Sequence, residues 1–298
     1  MAYIIDPSLP QWKGNFHTHT TNSDGRKSPE EVVKLYEEAG YDFLSLTDHR
    51  KLTPVAHLDA HLLLIPGLEL DYFVTLHHRQ AVHLIGVGVD DTIMDTEGIK
   101  DSPQQGIDAI RAHGGLAILA HPAWSLNEPE LIEGLKGLSA VEIFNQVSTA
   151  PWNGNRGDSS SILDLCHADG CFLPMVAGDD AHFYNGDQCQ SCLMLSAPAL
   201  TREHVMNALA QGNFYASQGP VIHEMKLDGD TISLKFSEAE QVIFYSNTPW
   251  VTGRTRRQSG MTEDSYQIGP NDTFVRAEIT DKNGKRAWTK AIPVHSEK

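Results

Sequence analysis

Two stretches decide the fold: Asn15-Phe-His-Thr-His-Thr20, and the later Asp42-Phe-Leu-Ser-Leu-Thr-Asp-His49. Each is a short strand-like run that ends in imidazoles and carboxylates. His17 and His19 stand at i and i+2, so on a strand they point to the same side. His49 follows its strand directly, with Asp48 before it. Between the two runs, Ser28-Pro-Glu-Glu31 reads as a helix start. Ser28 is the N-cap, Pro29 lies in the first turn, and Glu31 sits three residues after the cap. Gly40 then ends the helix.

Further along the chain the alternation repeats. Residues 62–70 read as a strand, 71–89 as strand, turn and strand, and DSPQQGIDAIRAH as a helix stopped by Gly114-Gly115. LAILA, AVEIFN, FLPMVAG and SCLMLSA are further strands, with helices at 128–136, 160–168 and 201–210 between them. About seven β/α alternations with apolar strands predict parallel strands covered by helices, hence a barrel-like α/β domain over residues 1–218. After Gln218-Gly-Pro220 the pattern changes to period two (HEMKLDG, TISLKF, QVIFYS and FVRAEIT onward), with a turn at Asn283-Gly284. Residues 219–298 are expected to form a small all-β, sandwich-like C-terminal domain.

The chain has 298 residues, 40% hydrophobic and 21% charged, as expected of a globular protein with a sizeable core. No apolar run approaches the roughly 20 residues that span a bilayer. The opening MAYIIDPSLPQWKGN has neither a basic nor an apolar leader region, so the expected location is cytoplasmic. The net charge is −16. Residues 1–218 hold 12 basic and 28 acidic side chains, and residues 219–298 hold 11 of each. Such a surface disfavours binding to long nucleic acid, whereas a local metal cluster can reverse the sign within a site. Cys189 and Cys192 form C-x-x-C, a zinc or redox spacing. Their apolar surroundings, like those of Cys166 and Cys171, favour small core residues instead.

Nine metal-type residues fall near the C-terminal ends of successive strands: His17, His19, Asp24, His49, Glu69, His83, His121, Asp180 and His182. Each alone has an ordinary explanation as a hydrogen-bonded core residue. Together they mark one mouth, since catalytic groups of α/β barrels gather at that end. Mixed imidazoles and carboxylates suit zinc, manganese or iron.

In this order F-H-T-H-T, S-D-G, T-D-H, G-L-E, H-L-I-G, A-H-P and D-A-H resemble the PHP (polymerase and histidinol phosphatase) domain, over residues 13–218. The resemblance implies a distorted (β/α)7 barrel holding two or three divalent ions, a trinuclear centre in full form, that hydrolyses phosphoesters. Carried across by motif, it implies His17, His19, Glu69 and Asp180 around a first ion. Glu69 bridges to a second with His83 and His121, and Asp24, His49 and His182 hold a third. Asp180, His182 and Glu69 double as candidate catalytic residues, with Asp48 supporting a ligand histidine from behind. The tail, with G-N-F-Y-A-S-Q-G-P, is also similar to the CehA/McbA branch of metallohydrolases.

Ions held in this way turn a bridging water into a nucleophile near neutral pH and neutralise phosphate oxygens. The expected reaction is hydrolysis of a small phosphorylated metabolite, such as a nucleotide or a sugar or amino-alcohol phosphate. Arg50 reads either as a bidentate phosphate clamp or as a loop arginine. Arg156, in a glycine- and asparagine-rich loop, reads as a specificity residue. Trp124 and Trp152 offer an aromatic wall. Of Glu142 and Asn145, which face opposite sides of a regular strand, Asn145 is expected to point inward. The competing class is a CehA-like amide, carbamate or ester hydrolase, with an apolar pocket in place of an anion clamp. A non-catalytic metal-binding module would have lost ligand positions, and none is missing. His57, His61, His77, His78 and His113 fall outside the pattern, and Arg254-Thr-Arg-Arg257 reads as a solvated loop.

Overall fold

The computed structural model describes residues 2–75 and 79–295; His77 and His78 lie outside them. The strands are β1 Ala2–Ile5, β2 Gln11–Asn15, β3 Phe43–Leu44, β4 Leu63–Leu64, β5 Gly67–Thr75, β6 Arg79–Val87, β7 Leu116–Leu119, β8 Leu138–Asn145 and β9 Met175–Gly178. They continue as β10 Cys192–Ser196, β11 Phe214–Ser217, β12 Ile222–Asp228, β13 Thr231–Tyr245, β14 Thr255–Gln267, β15 Phe274–Thr280, β16 Arg286–Trp288 and β17 Ile292–Pro293. The helices are α1 Pro29–Glu38, α2 Pro103–Ala112, α3 Pro122–Ser125, α4 Pro129–Gly134, α5 Ser160–Ala168 and α6 Arg202–Gln211. None is long and apolar enough to cross a membrane among the described residues.

Local chemistry explains the helix ends. At α1, Ser28 accepts from the Glu31 amide and Glu31 accepts from the Ser28 amide, the reciprocal capping pair expected of the sequence. At α6 Thr201 accepts from the His204 amide without the reciprocal bond, and Gly212, at φ 66°, closes the helix.

The expected α/β character is present, but the described strands close no continuous barrel. They fall into a five-stranded sheet, β5-β6-β7-β8-β9, and a twelve-stranded sheet that includes β2, β3 and β4. β2–β3, β3–β4, β7–β8 and β8–β9 pair in parallel, whereas β5–β6 and β6–β7 are antiparallel. The reversal arises because only three residues of sequence separate β5 from β6, too few for the crossover that a parallel pair needs. The two sheets meet at one end through isolated bridges, Thr18 to Ala181 and His49 to Glu69. Backbone hydrogen bonds reinforce both seams: His19 N–H to Ala181 C=O at 3.0 Å, Asp180 N–H to His17 C=O at 2.8 Å and Arg50 N–H to Glu69 C=O at 2.7 Å. A core of Phe16, Ile85, Ile118, Val176 and Leu193 fills the space between the sheets.

The tail differs from the sequence reading in two respects. TISLKF and QVIFYS form one continuous strand, β13, whose first part pairs with β12 and whose end pairs with β15. Arg254-Thr-Arg-Arg257 enters the exposed strand β14 rather than forming a loop. Arg256 pairs with Asp264 at 3.0 Å, and Arg257 bonds Gln241. The ladder runs on from β15 through β16 to β11, so backbone hydrogen bonds tie the tail to the first part. All four cysteines are free thiols; Cys166 and Cys192 are buried, Cys171 and Cys189 half-buried.

Arg276 on β15 is fully buried and donates to both oxygens of Asp164 on α5, at 2.6 and 2.7 Å. Burial pushes the Asp164 carboxyl up, but His167 and Arg276 more than reverse this and hold it below the usual carboxylate range. Its stabilisation is therefore fully present above about pH 4, the ordinary aspartate value, and is lost as pH falls through the depressed pKa. Asp164→Asn leaves the guanidinium uncompensated and is expected to cost about 3 kcal/mol at neutral pH in urea unfolding. The variant should also lose less stability than the parent between pH 5 and 3.

Candidate metal centre

The seams deliver the side chains. β2 runs out at Asn15, and the next residues carry His17 and His19 across to residues 180–181; β3 runs out at Leu44, and its extension carries His49 to Glu69. His83 lies opposite Asp71 in the β5–β6 hairpin, and His121 follows β7. His121, Asp180 and Arg50 adopt left-handed backbone, with φ of 32°, 53° and 51°. Such conformations cost about 1–3 kcal/mol each for a non-glycine residue.

All nine sequence-predicted ligand residues converge. The donor atoms of His17, His19, Glu69 and Asp180 lie within 4.8 Å of one another. The same holds for His19, Asp24, His49 and His182, and for His49, Glu69 and His83. Relative to the expected grouping, His19 joins the Asp24 set and His49 reaches Glu69. The His121 Nε2 lies 3.5 Å from Glu69 and 3.9 Å from Asp180. The rings pack closely, with His19 stacked on His182 at 4.0 Å and on His49 at 4.7 Å.

Three of the imidazoles are aimed from behind. The His17 Nδ1 faces the Glu142 carboxylate at 2.8 Å, the His121 Nδ1 faces the Ser125 hydroxyl at 2.9 Å, and the His182 Nδ1 faces the Asp180 carbonyl at 2.7 Å. Their Nε2 atoms are thereby left for the centre. The His17 Nε2, both His19 ring nitrogens, the His49 Nδ1, the Glu69 Oε2 and the Asp180 Oδ1 are buried without a hydrogen bond. Buried polar atoms are normally paired, and this set consists of nitrogen and carboxylate donors that suit zinc, manganese or iron. The residues fit divalent ions.

The electrostatics agree. Burial by itself pushes the His17, His182 and His49 imidazoles down. At His17 the carboxylates of Asp180, Glu142 and Glu69 override it and raise the pKa well above the usual value. His182 is raised to about 9 by Asp180 and Asp24 against burial. At His49 burial prevails and lowers it. Burial would raise Glu69 and Asp180, but the facing histidines hold both far below the carboxylate range. The carboxylates thus favour positive charge at the centre, whether on the imidazoles or on a bound cation.

Glu69, Asp24, His49, His83, His121, Asp180 and His182 open onto a cavity of about 300 Å³. Its other walls are Trp124, Val147, Ser148, Trp152, Asn153 and Phe183. Trp124 packs edge-on against His83 and His121 and donates to Asn153 at 3.1 Å. Trp152 is 70% exposed at the rim and meets Phe183 edge-on.

Several expected substrate contacts are placed elsewhere. Arg50 is held by Asp71 through both carboxylate oxygens, at 2.7 and 2.9 Å, which favours the loop reading over a free clamp. Arg156 is exposed and does not line the cavity. Asn145 points inward as expected, but it is fully buried beneath the centre and donates to Glu142 at 2.9 Å and to Asp180 at 3.2 Å. Asp48 bonds no histidine among the described contacts. It accepts from the Thr20 amide and from the hydroxyls of Thr20, Ser23 and Thr53, so it pins the loop that carries Asp24.

Sequence reasoning missed Glu142. A register shift against β9 between Glu142 and Phe144 turns Glu142 to the same side as Asn145. Phe183 was also missed, although it follows D-A-H directly and so had to lie near the mouth.

No family model matches the chain. Over 85 residues it is 32% identical to the 5′-3′ exoribonuclease Rnm of Escherichia coli K12; the match covers 26% of this chain and 28% of that protein. An amidohydrolase from Chromobacterium violaceum, solved with bound sulfate and no metal, is 18% identical over 58% of this chain and 89% of its own, with a TM-score of 0.45. A two-domain protein from Bacteroides vulgatus, containing a predicted PHP-like metal-dependent phosphoesterase, matches 97% of this chain and 96% of its own. Its TM-score is 0.55 at 15% identity. The chain therefore shares the fold of that two-domain protein.

Proposed function

We propose that this chain is a metal-dependent phosphoesterase, with the chemistry in residues 1–218, a distorted (β/α)7 barrel opened at its seams, and with residues 219–298 bracing it. One observation carries the reading: buried, unpaired imidazole and carboxylate donors converge at the floor of an open cavity. His17, His19, Glu69 and Asp180 would hold one ion, Glu69 with His83 and His121 a second, and Asp24, His49 and His182 a third. When bound, such ions supply Lewis acidity toward phosphate oxygens and a water acidic enough to react near neutral pH.

The chain's own residues do the rest. Glu69, Asp180 and Asp24 offset part of the cation charge, and leave a surplus that suits an anionic substrate. Trp124 and Phe183 wall the floor from bulk water, which strengthens electrostatic interactions there. Trp152 at the rim offers an aromatic face to a planar group such as a base. The proposed substrate is a small phosphorylated metabolite whose leaving alcohol carries a planar group, a nucleotide with its base being the simplest example. The similarity to an exoribonuclease over a quarter of the chain supports a nucleotide chemistry.

A second reading rests on a specific observation. Among the described residues no lysine or arginine lines the cavity, and Arg50 is committed to Asp71. An amide, carbamate or ester with an aromatic group would need no cationic clamp.

The test is a hydrolysis screen over phosphomonoesters, nucleotides, phosphodiesters, carbamates and esters, with zinc, manganese and iron supplied in turn. We expect turnover of a phosphate ester that is abolished in His17→Ala and Asp180→Ala. Turnover confined to carbamates or esters would transfer the assignment to the second reading. Base–aromatic stacking is worth about 1–3 kcal/mol, so Trp152→Ala should raise KM for a nucleotide roughly 5- to 150-fold while leaving kcat nearly unchanged.

Metal binding has its own readout. An ion that binds only the folded chain stabilises it by about 2.7 kcal/mol at one hundred times its Kd. Zinc or manganese should therefore raise the melting temperature of the metal-free protein, and His19→Ala should remove most of that rise.

A further inference from the structure

We infer that Glu142 is a positioning residue that fixes the tautomer of His17, and through it the ability of the innermost ligand set to bind a metal ion. The inference rests on the metal-centre reading above. Glu142 is 1% exposed and makes no contact with the cavity. Its Oε1 faces the His17 Nδ1 at 2.8 Å. Its Oε2 accepts two bonds, from the His121 backbone N–H at 2.8 Å and from the Asn145 amide at 2.9 Å. One carboxylate thus touches His17, sets the left-handed backbone of His121 and, through Asn145, reaches Asp180.

The bond pattern dictates the proton's place. A carboxylate only accepts, so its partner at Oε1 must be Nδ1–H. A neutral imidazole protonated on Nδ1 has a lone pair on Nε2, and the His17 Nε2 is the buried, unpaired atom that faces Glu69 and Asp180, both at 3.2 Å. Outer partners of metal-bound imidazoles act in this way, fixing both tautomer and ring orientation. The packing shows how closely the group is fitted. A Cβ on Gly178 would stand 2.1 Å from the Glu142 Oε1 and 2.9 Å from the His17 Cβ, so only glycine leaves room for the pair.

Glutamine at this position makes a discriminating variant because it keeps the shape. Its NH2 group cannot occupy the Oε2 position, where two donors already point. It must take the Oε1 position and donate to Nδ1, which drives the His17 proton to Nε2, where it blocks the metal. Alanine leaves His17 free to choose either tautomer. Glu142→Gln should therefore damage metal binding more than Glu142→Ala does, the reverse of the order expected if the residue only filled space.

The experiment is calorimetric titration of the metal-free full-length protein with zinc chloride, and separately with manganese chloride. It compares the parent, Glu142→Gln and Glu142→Ala, with melting of each metal-free protein as a check on folding. Loss of an outer partner typically costs 10- to 100-fold in metal affinity. We expect that loss for Glu142→Gln at one site, a smaller loss for Glu142→Ala, and long-range ¹H–¹⁵N spectra of the zinc-loaded parent with the His17 proton on Nδ1. Equal affinity in Glu142→Gln, or a larger loss in Glu142→Ala, would overturn the inference while leaving the metal centre in place. Should Glu142→Gln fail to fold, a His17 proton on Nε2 in the zinc-loaded parent would overturn it. A parent that binds neither ion would overturn the metal-centre reading, and this inference with it.

Discussion

Five imidazoles face one buried carboxylate. The Glu69 side chain lies within 3.5 Å of ring nitrogens of His17, His19, His49, His83 and His121. His17, His19, His121 and Glu69 are almost closed to water, and burying unpaired polar atoms costs free energy. The arrangement is unfavourable in itself and persists because the surrounding chain enforces it. Left-handed backbone at His121, Asp180 and Arg50 adds to the cost. A divalent cation is the partner that offsets all of it at once, since it binds the lone pairs and supplies the charge the carboxylates lack.

Enforcement comes from the seams. β3 and β4 have two residues each, too short to close a ladder around the core. Where the ladders run out, single backbone bonds at His17, His19, Arg50 and Asp180 join the sheets instead. The main chain is thus fixed at the very residues whose side chains carry the chemistry. The apolar layer of Phe16, Ile85, Ile118 and Val176 lies directly beneath and keeps water from the buried side. A regular barrel would spread these residues evenly around its rim. The seams draw them into three overlapping groups.

The legible part of this architecture was local. A cap such as Ser28, or an i, i+2 pair such as His17 and His19, follows from chemistry within a few residues, and the nine candidate ligands were readable because they recur at strand ends. What the sequence concealed depended on partners far along the chain. The inward turn of Glu142 requires the register shift against β9, and a regular strand would have sent it outward. The capture of Arg50 by Asp71 depends on the β5 hairpin lying beside the His49 loop. β13 reads as two strands because its middle, Ser237-Glu-Ala-Glu240, is polar, yet irregular pairing with β14 carries it through.

The tail acquires a reason to be attached when these features are combined. The same irregularity that turns Glu142 and Asn145 toward the centre leaves Phe144 facing the other way, stacked on Trp288 of β16 at 5.5 Å. Arg286 of β16 pairs with Asp158 at 2.6 Å, and Asp158 bridges to Phe144. Arg276 of β15 holds α5, which packs against β8. The tail therefore presses on the back of the strand whose front orders His17, His121 and Asp180. A bulged strand is a weak point, because its ladder is interrupted and its side chains can revert to alternation. Covering its outer face with a tryptophan and two ion pairs makes reversion expensive, since Phe144 would have to leave its stack for Glu142 to leave the centre. In this way a β-rich tail whose described residues contribute no group to the cavity helps to decide which side chains face it.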